Sequence, residues 1–188
     1  MSERGKVKFV YSGLAQFEIE VIYSTLKGAF GYVDEQQQPL IEDTEYVSTV
    51  EIEFPIPFAE SFFQIFSMDR WHKIKGLVKE MKRRRGGKRA VKALITFCGI
   101  SEQEMKPRLI FSAINKNARQ FEMAIEKIEY LVDIIPIQLQ SFPIIDANVD
   151  EVLYSYDEAS FKWNPSGAKY TNGAEYTYLP KTREWKKK

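Results

Sequence analysis

Apolar and polar positions alternate along Lys6–Ser12. Val7, Phe9 and Tyr11 fall on one side and Lys6 and Lys8 on the other, which predicts a strand ended by Gly13. From Leu14 to Phe30 the period changes. Ile19, Ile22, Tyr23, Leu26 and Phe30 recur every three or four residues, the spacing of an amphipathic helix. The polar, turn-rich stretch 31–44 reads as a loop. Tyr46–Phe54 alternates again, with Tyr46, Ser48, Val50, Ile52 and Phe54 on one side, and Pro55 and Pro57 close that strand because proline cannot donate to a sheet ladder. Phe58–Arg85 is helical in period but carries good N-caps at Ser67 and Asp69. The expectation is a short helix with Phe62, Ile65 and Phe66 inside, then a longer one from about Arg70, stopped by Gly86-Gly87. Ala90–Cys98 and Arg108–Ile114 read as two antiparallel strands. Ala118–Ile135 reads as a helix with Phe121, Ile125, Ile128, Leu131, Val132 and Ile135 on one face, ended by Pro136.

The order β-α-β-α-β-β-α predicts an α+β domain over residues 1–136, an open and mainly antiparallel four-stranded sheet covered by helices. Residues 137–188 are less regular but hold nine aromatics, with turn signals at 164–167 and at Asn172-Gly173. Such aromatic content argues for an ordered C-terminal extension. The single cysteine, Cys98, allows no intramolecular disulfide, which suits a reducing compartment. No run approaches the roughly 18 apolar residues of a membrane span, and the N-terminus lacks an apolar signal core. A cytoplasmic protein without a membrane partner is expected.

Charge changes this picture. The chain has a net charge of +1, yet 70–92 gathers eleven Lys or Arg and one acid, Glu80. The flanking stretches 1–69 and 93–160 carry −8 and −6, and the last 28 residues +5. An island of this kind usually meets a polyanion. On a helical projection with Trp71 at zero, Ile74, Val78 and Met81 form an apolar stripe at about 280–340°, while Lys75, Lys79, Lys82 and Arg83 form a cationic ridge at about 20–120°. Trp71 sits on the border. Lys88, Arg89 and Lys92 carry the island into the next strand. The bland alternative is a solvated ridge, or one neutralised by acids from Leu14–Asp69 and Gln120–Glu158.

No zinc spacing, helix-turn-helix or RRM signature is present, so duplex reading by a known motif is unsupported. A cationic track with interleaved aromatics is instead what sequence-tolerant binding of single strands requires. The residues expected to carry it are Arg70, Trp71, Lys75, Lys79, Lys82, Arg83, Arg84, Arg85, Lys88, Arg89, Lys92 and Trp163. Tyr170, Tyr176, Tyr178 and Trp185 add aromatic character to the extension. An aromatic-containing open sheet backed by helices, with RWHKIKGLVKEMKRRRGGKR leading into KALITF, resembles the archaeal ThermoDBP-related single-stranded DNA-binding proteins. The likeness is one of organisation over residues 6–135. It implies a cleft that takes single strands by base stacking and backbone charge, a lean towards DNA over RNA, and assembly into homo-oligomers.

Catalysis finds less support. His72 is the only histidine and Cys98 has no histidine near it in sequence, so no triad or metal cluster suggests itself. No phosphate-binding glycine motif appears. No catalytic residue, metal or cofactor is expected. The acid pairs Glu51/Glu53 and Glu102/Glu104 leave a metal-dependent nuclease as one alternative. An RNA-binding or interaction subunit of a ribonucleoprotein or replication assembly, docking a protein partner through the C-terminal extension, is the other.

Overall fold

A computed structural model describes residues 6–39, 46–86, 89–99, 107–143 and 145–188. The fold is α+β, but its sheet is larger and more mixed than the sequence suggests. The described residues form nine strands in the order β2-β1-β3-β4-β5-β6-β7-β8-β9. These are β1 (Val7–Ser12), β2 (Val33–Gln37), β3 (Tyr46–Phe54), β4 (Ala90–Phe97), β5 (Arg108–Asn115), β6 (Val149–Asp157), β7 (Lys162–Tyr170), β8 (Glu175–Leu179) and β9 (Glu184–Lys187). The helices are α1 (Gln16–Phe30), α2 (Glu60–Phe66), α3 (Met68–Arg85), α4 (Ala118–Glu126) and α5 (Ile135–Leu139), with a 3-10 turn at Glu129–Leu131.

Three parallel pairs, β1/β2, β3/β4 and β5/β6, are each closed by a helical crossover, and antiparallel pairings join them. The expected four-stranded sheet is corrected in its number of strands, and its mainly antiparallel pairing is interrupted by these three parallel pairs. Strand β2 lies in the stretch read as a loop. Its sequence VDEQQ buries only Val33, so it shows little alternation for a pattern to detect. Residues 137–188 are the second half of the same sheet. The boundary expected after 136 falls inside α5, and Tyr154, Trp163 and Tyr170 share one core with Phe54, Phe97 and Phe111. Phe111 stacks on Tyr154 at 5.0 Å between ring centroids. The single long helix expected over Ala118–Ile135 is instead α4, the 3-10 turn and the start of α5, with Pro136 inside α5 rather than after a helix end. A proline is tolerated in the first turn of a helix, where its missing N–H would have had no partner.

All the helices lie on the sheet face that carries Val7, Phe9, Val50, Ile52, Phe97 and Phe111. Crossovers β1→β2 and β3→β4 are related by a half-turn about the sheet normal, so they share one hand. The β5→β6 crossover advances the other way along the sheet relative to its strand direction and has the opposite hand. One hand is strongly preferred for such units, so this fold contains an unfavoured crossover.

Helix α3 lies between α1 and α4 and runs antiparallel to both. Its last residue Arg85 reaches Glu18 at the start of α1, while Arg70 reaches the Gly28 carbonyl near the end of α1 at 3.4 Å. Lys75 and Arg83 reach Glu126 and Glu122 of α4. Ser67 accepts from the Arg70 amide and caps α3, as its sequence predicts. The charge island therefore lies at the centre of the helical layer.

Candidate nucleic-acid interface

The apolar stripe of α3 is buried as the projection requires, with Ile74, Val78 and Met81 at most 1 % exposed. The cationic ridge beside it is not free. Lys75 is 2 % exposed and donates to Glu126 at 3.0 Å and to Glu129. Lys79 donates to Glu126 at 2.6 Å, and Arg83 makes a two-pronged contact with Glu122 at 2.7 and 2.8 Å. Glu122 and Glu126 lie one turn apart on α4, and Glu129 opens the turn that follows, so three acids face three cations in register. The bond from Arg83 lowers the Glu122 carboxyl below its usual range, and the bond from Lys79 does the same for Glu126. Lys82 is fully buried and donates to the carbonyls of Gly86 and Arg89 at 2.9 and 2.7 Å, and burial lowers its pKa. It ties Gly86 to Arg89 rather than facing a ligand.

Three further expectations are corrected by burial. Trp71 has no exposed surface, its Nε1 donates to Glu129 at 2.9 Å, and its ring packs among Phe54, Phe62, Phe63 and Phe97. Trp163 is 3 % exposed and donates to the Ala124 carbonyl at 2.9 Å. Neither ring offers a face to a base. In the C-terminal strands Tyr170 is buried and Trp185 packs on Phe142 at 4.4 Å between centroids. Lys92 pairs with Glu51 on the opposite sheet face. Lys88 lies outside the described residues.

The other flank of α3 differs. On the same projection Arg70, Lys73, Leu77 and Arg84 fall at about 260°, 200°, 240° and 220°. This flank turns towards α1 and solvent. Where it meets the β1–α1 turn, a cavity of about 550 Å³ opens, lined by Gly13, Ala15, Phe17, Ser48, Arg84, Arg85 and Arg89, among others. The floor of this cavity is fixed by Gly13. It holds φ 63°, and a Cβ there would stand 2.3 Å from the Val47 carbonyl oxygen, so only glycine fits. Its own carbonyl accepts from Ser48 Oγ at 2.7 Å and Arg85 Nη2 at 2.8 Å.

Arg85 is committed to structure. It forks onto Glu18 at 3.0 and 2.8 Å and also donates to Ser48. Burial raises the Glu18 carboxyl, but bonds from Arg85 and the Ala15 amide outweigh it, leaving the group lowered and ionised. Arg84 pairs with Glu80 at 3.0 Å while lying over the Phe17 ring, 4.6 Å from its centroid. Arg89 is exposed and its guanidinium meets no partner among the described residues. Phe17 is 40 % exposed. The three arginines outnumber Glu18 and Glu80, so the cavity stays cationic.

Phe17 was missed in the sequence, whereas the acids of α4 belong to the stretch Gln120–Glu158 named as able to neutralise the ridge, and they do so. Phe17 lies about 200° from Ile19, off the apolar face of its helix, which is the mark of an aromatic not needed for packing. Glu122, Glu126 and Glu129 repeat at four and three residues, and the cations they meet, Lys75, Lys79 and Arg83, repeat at four.

Elsewhere, Glu53 is engaged by Arg108 and by the Cys98 thiol, and Glu51 by Lys92, so this acid pair is already occupied. Burial and the nearby Glu53 charge push the Cys98 thiol up to about 11. His72 stands 3.9 Å from Glu129. Glu102 and Glu104 lie outside the described residues. No three His, Cys, Asp or Glu side chains cluster to hold a metal among the described residues. No helix there is long and apolar enough to cross a membrane. Comparison with protein-family models, curated proteins and solved structures finds no match to the chain.

Proposed function

We propose that the protein binds single-stranded nucleic acid without strong sequence preference, using the α1-facing flank of α3 rather than the ridge that faces α4. The observation that carries this reading is the cavity holding Arg84, Arg85 and Arg89 around an exposed Phe17. It joins the two parts such binding needs, cations for the phosphate backbone and an aromatic face for a base. Arg89 supplies a guanidinium without a partner among the described residues, and Arg84 is held over the ring by a surface pair with Glu80 that a phosphate can outcompete, since exposed pairs contribute little. Arg70 and Lys73 add positive charge on the same flank of α3. The lean towards DNA rests on the family resemblance.

The test is fluorescence anisotropy with labelled oligo-dT and oligo-U at two salt concentrations. Affinity should fall with salt by roughly 0.7 log unit per log unit of salt for each phosphate neutralised. No affinity at low salt for either oligomer would remove the proposal. A second reading, an interaction subunit, is favoured by a separate apolar surface on the α5 side.

A further inference from the structure

A cavity of about 680 Å³ lies between the 57–61 turn before and into α2 and the 132–139 segment that leads into α5. Its walls are apolar and stiff: Pro57, Phe58, Leu109, Val132, Ile135 and Pro136 contribute to them. Three features set it apart from a cleft left by packing. First, the chain in and next to the lining segment also carries exposed apolar residues. Tyr130, Ile134 and Ile137 are 66 %, 44 % and 68 % exposed. Exposed apolar residues concentrated this way mark an interaction surface, whereas isolated ones are ordinary. Second, two carboxylates line it, Glu60 and Asp133, and neither meets a hydrogen-bond or ion-pair partner among the described residues. Third, this contrasts with the acids of the helical layer beside it, where Glu18, Glu122, Glu126 and Glu129 all hold a cation.

We propose that this cavity, with those exposed apolar residues, is a docking site for a segment of a partner protein that combines apolar side chains with a lysine or arginine. The apolar walls supply the burial that drives docking, and Glu60 and Asp133 supply the charge complement that selects a basic segment over an acidic one. A cavity of this size alone would also suit a small ligand, but the exposed apolar residues of the same stretch of chain favour a polypeptide. The inference is independent of nucleic-acid binding, because none of these residues belongs to the arginine cavity.

The experiment pans a phage-displayed library of random 12-residue peptides on the immobilised full-length protein. Peptides synthesised from the enriched set are then titrated by anisotropy. Enrichment of apolar peptides carrying Lys or Arg is expected. Their affinity should fall at least about tenfold when Glu60→Lys and Asp133→Lys are combined, or when the peptide base is replaced by norleucine, a difference of about 1.4 kcal/mol. Oligonucleotide binding should not be weakened by the protein substitutions, which add positive charge. Both positions are exposed, and the norleucine arm keeps the test valid if the double variant misfolds. No enrichment, enriched peptides without a basic residue, or affinity indifferent to both charge changes would overturn the proposal. So would sedimentation showing self-association that Asp133→Lys abolishes, because the occupant would then be a second copy of this chain.

Discussion

Arg83 and Arg84 are neighbours in sequence and opposites in role. Arg83 forks onto Glu122 across the helix interface, whereas Arg84 lies over Phe17 at the mouth of the cationic cavity. Removing Arg84 or Arg89 should therefore weaken oligonucleotide binding and lower its salt slope by about 0.7 for each phosphate that is no longer neutralised. Removing Arg83 should leave the slope unchanged. Phe17→Ala should cost roughly 1–3 kcal/mol of binding, the value of one base stacked on an aromatic ring, with the melting temperature scarcely moved because the ring is half outside the core. At this scale the sequence showed which residues carry charge but not which are spent. Lys82 looks like its neighbours in the run KRRR, yet only the positions of the Gly86 and Arg89 carbonyls reveal that it is buried beneath them. Trp71 fell on the border of the apolar stripe, and the phenylalanines of α2, which the helical projection does not include, decided that it is core.

Helix α3 is a structural strut on one flank and a candidate binding surface on the other. Its pairing with α4 places Lys75 in an environment where removing its partners would strand a buried charge. Glu129→Ala, which also frees the Trp71 indole, should destabilise the fold by about 3 kcal/mol, read by chemical denaturation. The lowered carboxyls of Glu18, Glu122 and Glu126 give this layer a pH dependence. Each binds protons less readily folded than unfolded. Their stabilising contribution is thus complete above the ordinary carboxylate value of 4.5 and is lost as pH falls through the lower folded values. A denaturation midpoint that falls on acidification below that value, and falls less in Glu122→Gln, checks the sign. Strands β1, β3 and β5 were legible because each buries mainly one face and so alternates, and β4, buried on both faces, was legible from its β-branched and aromatic residues. Strand β2 was not, since at the sheet edge only Val33 is buried. The ending of α4 at Glu126 was hidden because the apolar spacing continues through Ile128, Leu131 and Ile135 in the 3-10 turn and α5.

Across the whole molecule, the β5/β6 pairing joins the two halves of the chain into one sheet. Residues 137–188 are not a detachable arm: removing them would expose Phe111 and Leu109 and take Tyr154, Trp163 and Tyr170 from the core. A chain ending at 136 should lack a cooperative thermal transition by circular dichroism, and a sharp transition would contradict this. Composition pointed to order in that region through its aromatics, but nothing local tells a strand added to an existing sheet from a separate unit, because the partner strand is about forty residues away. The charge island itself was visible at once, and its division between an α4-facing and an α1-facing flank was not, since that depends on how three helices are arranged. That division is the central claim, and one salt-titrated anisotropy comparison tests it most directly. Against labelled oligo-dT, Arg84→Ala combined with Arg89→Ala should reduce both affinity and salt slope while Arg83→Ala behaves as the unaltered protein. Equal reduction from both changes, or from Arg83→Ala alone, would contradict it.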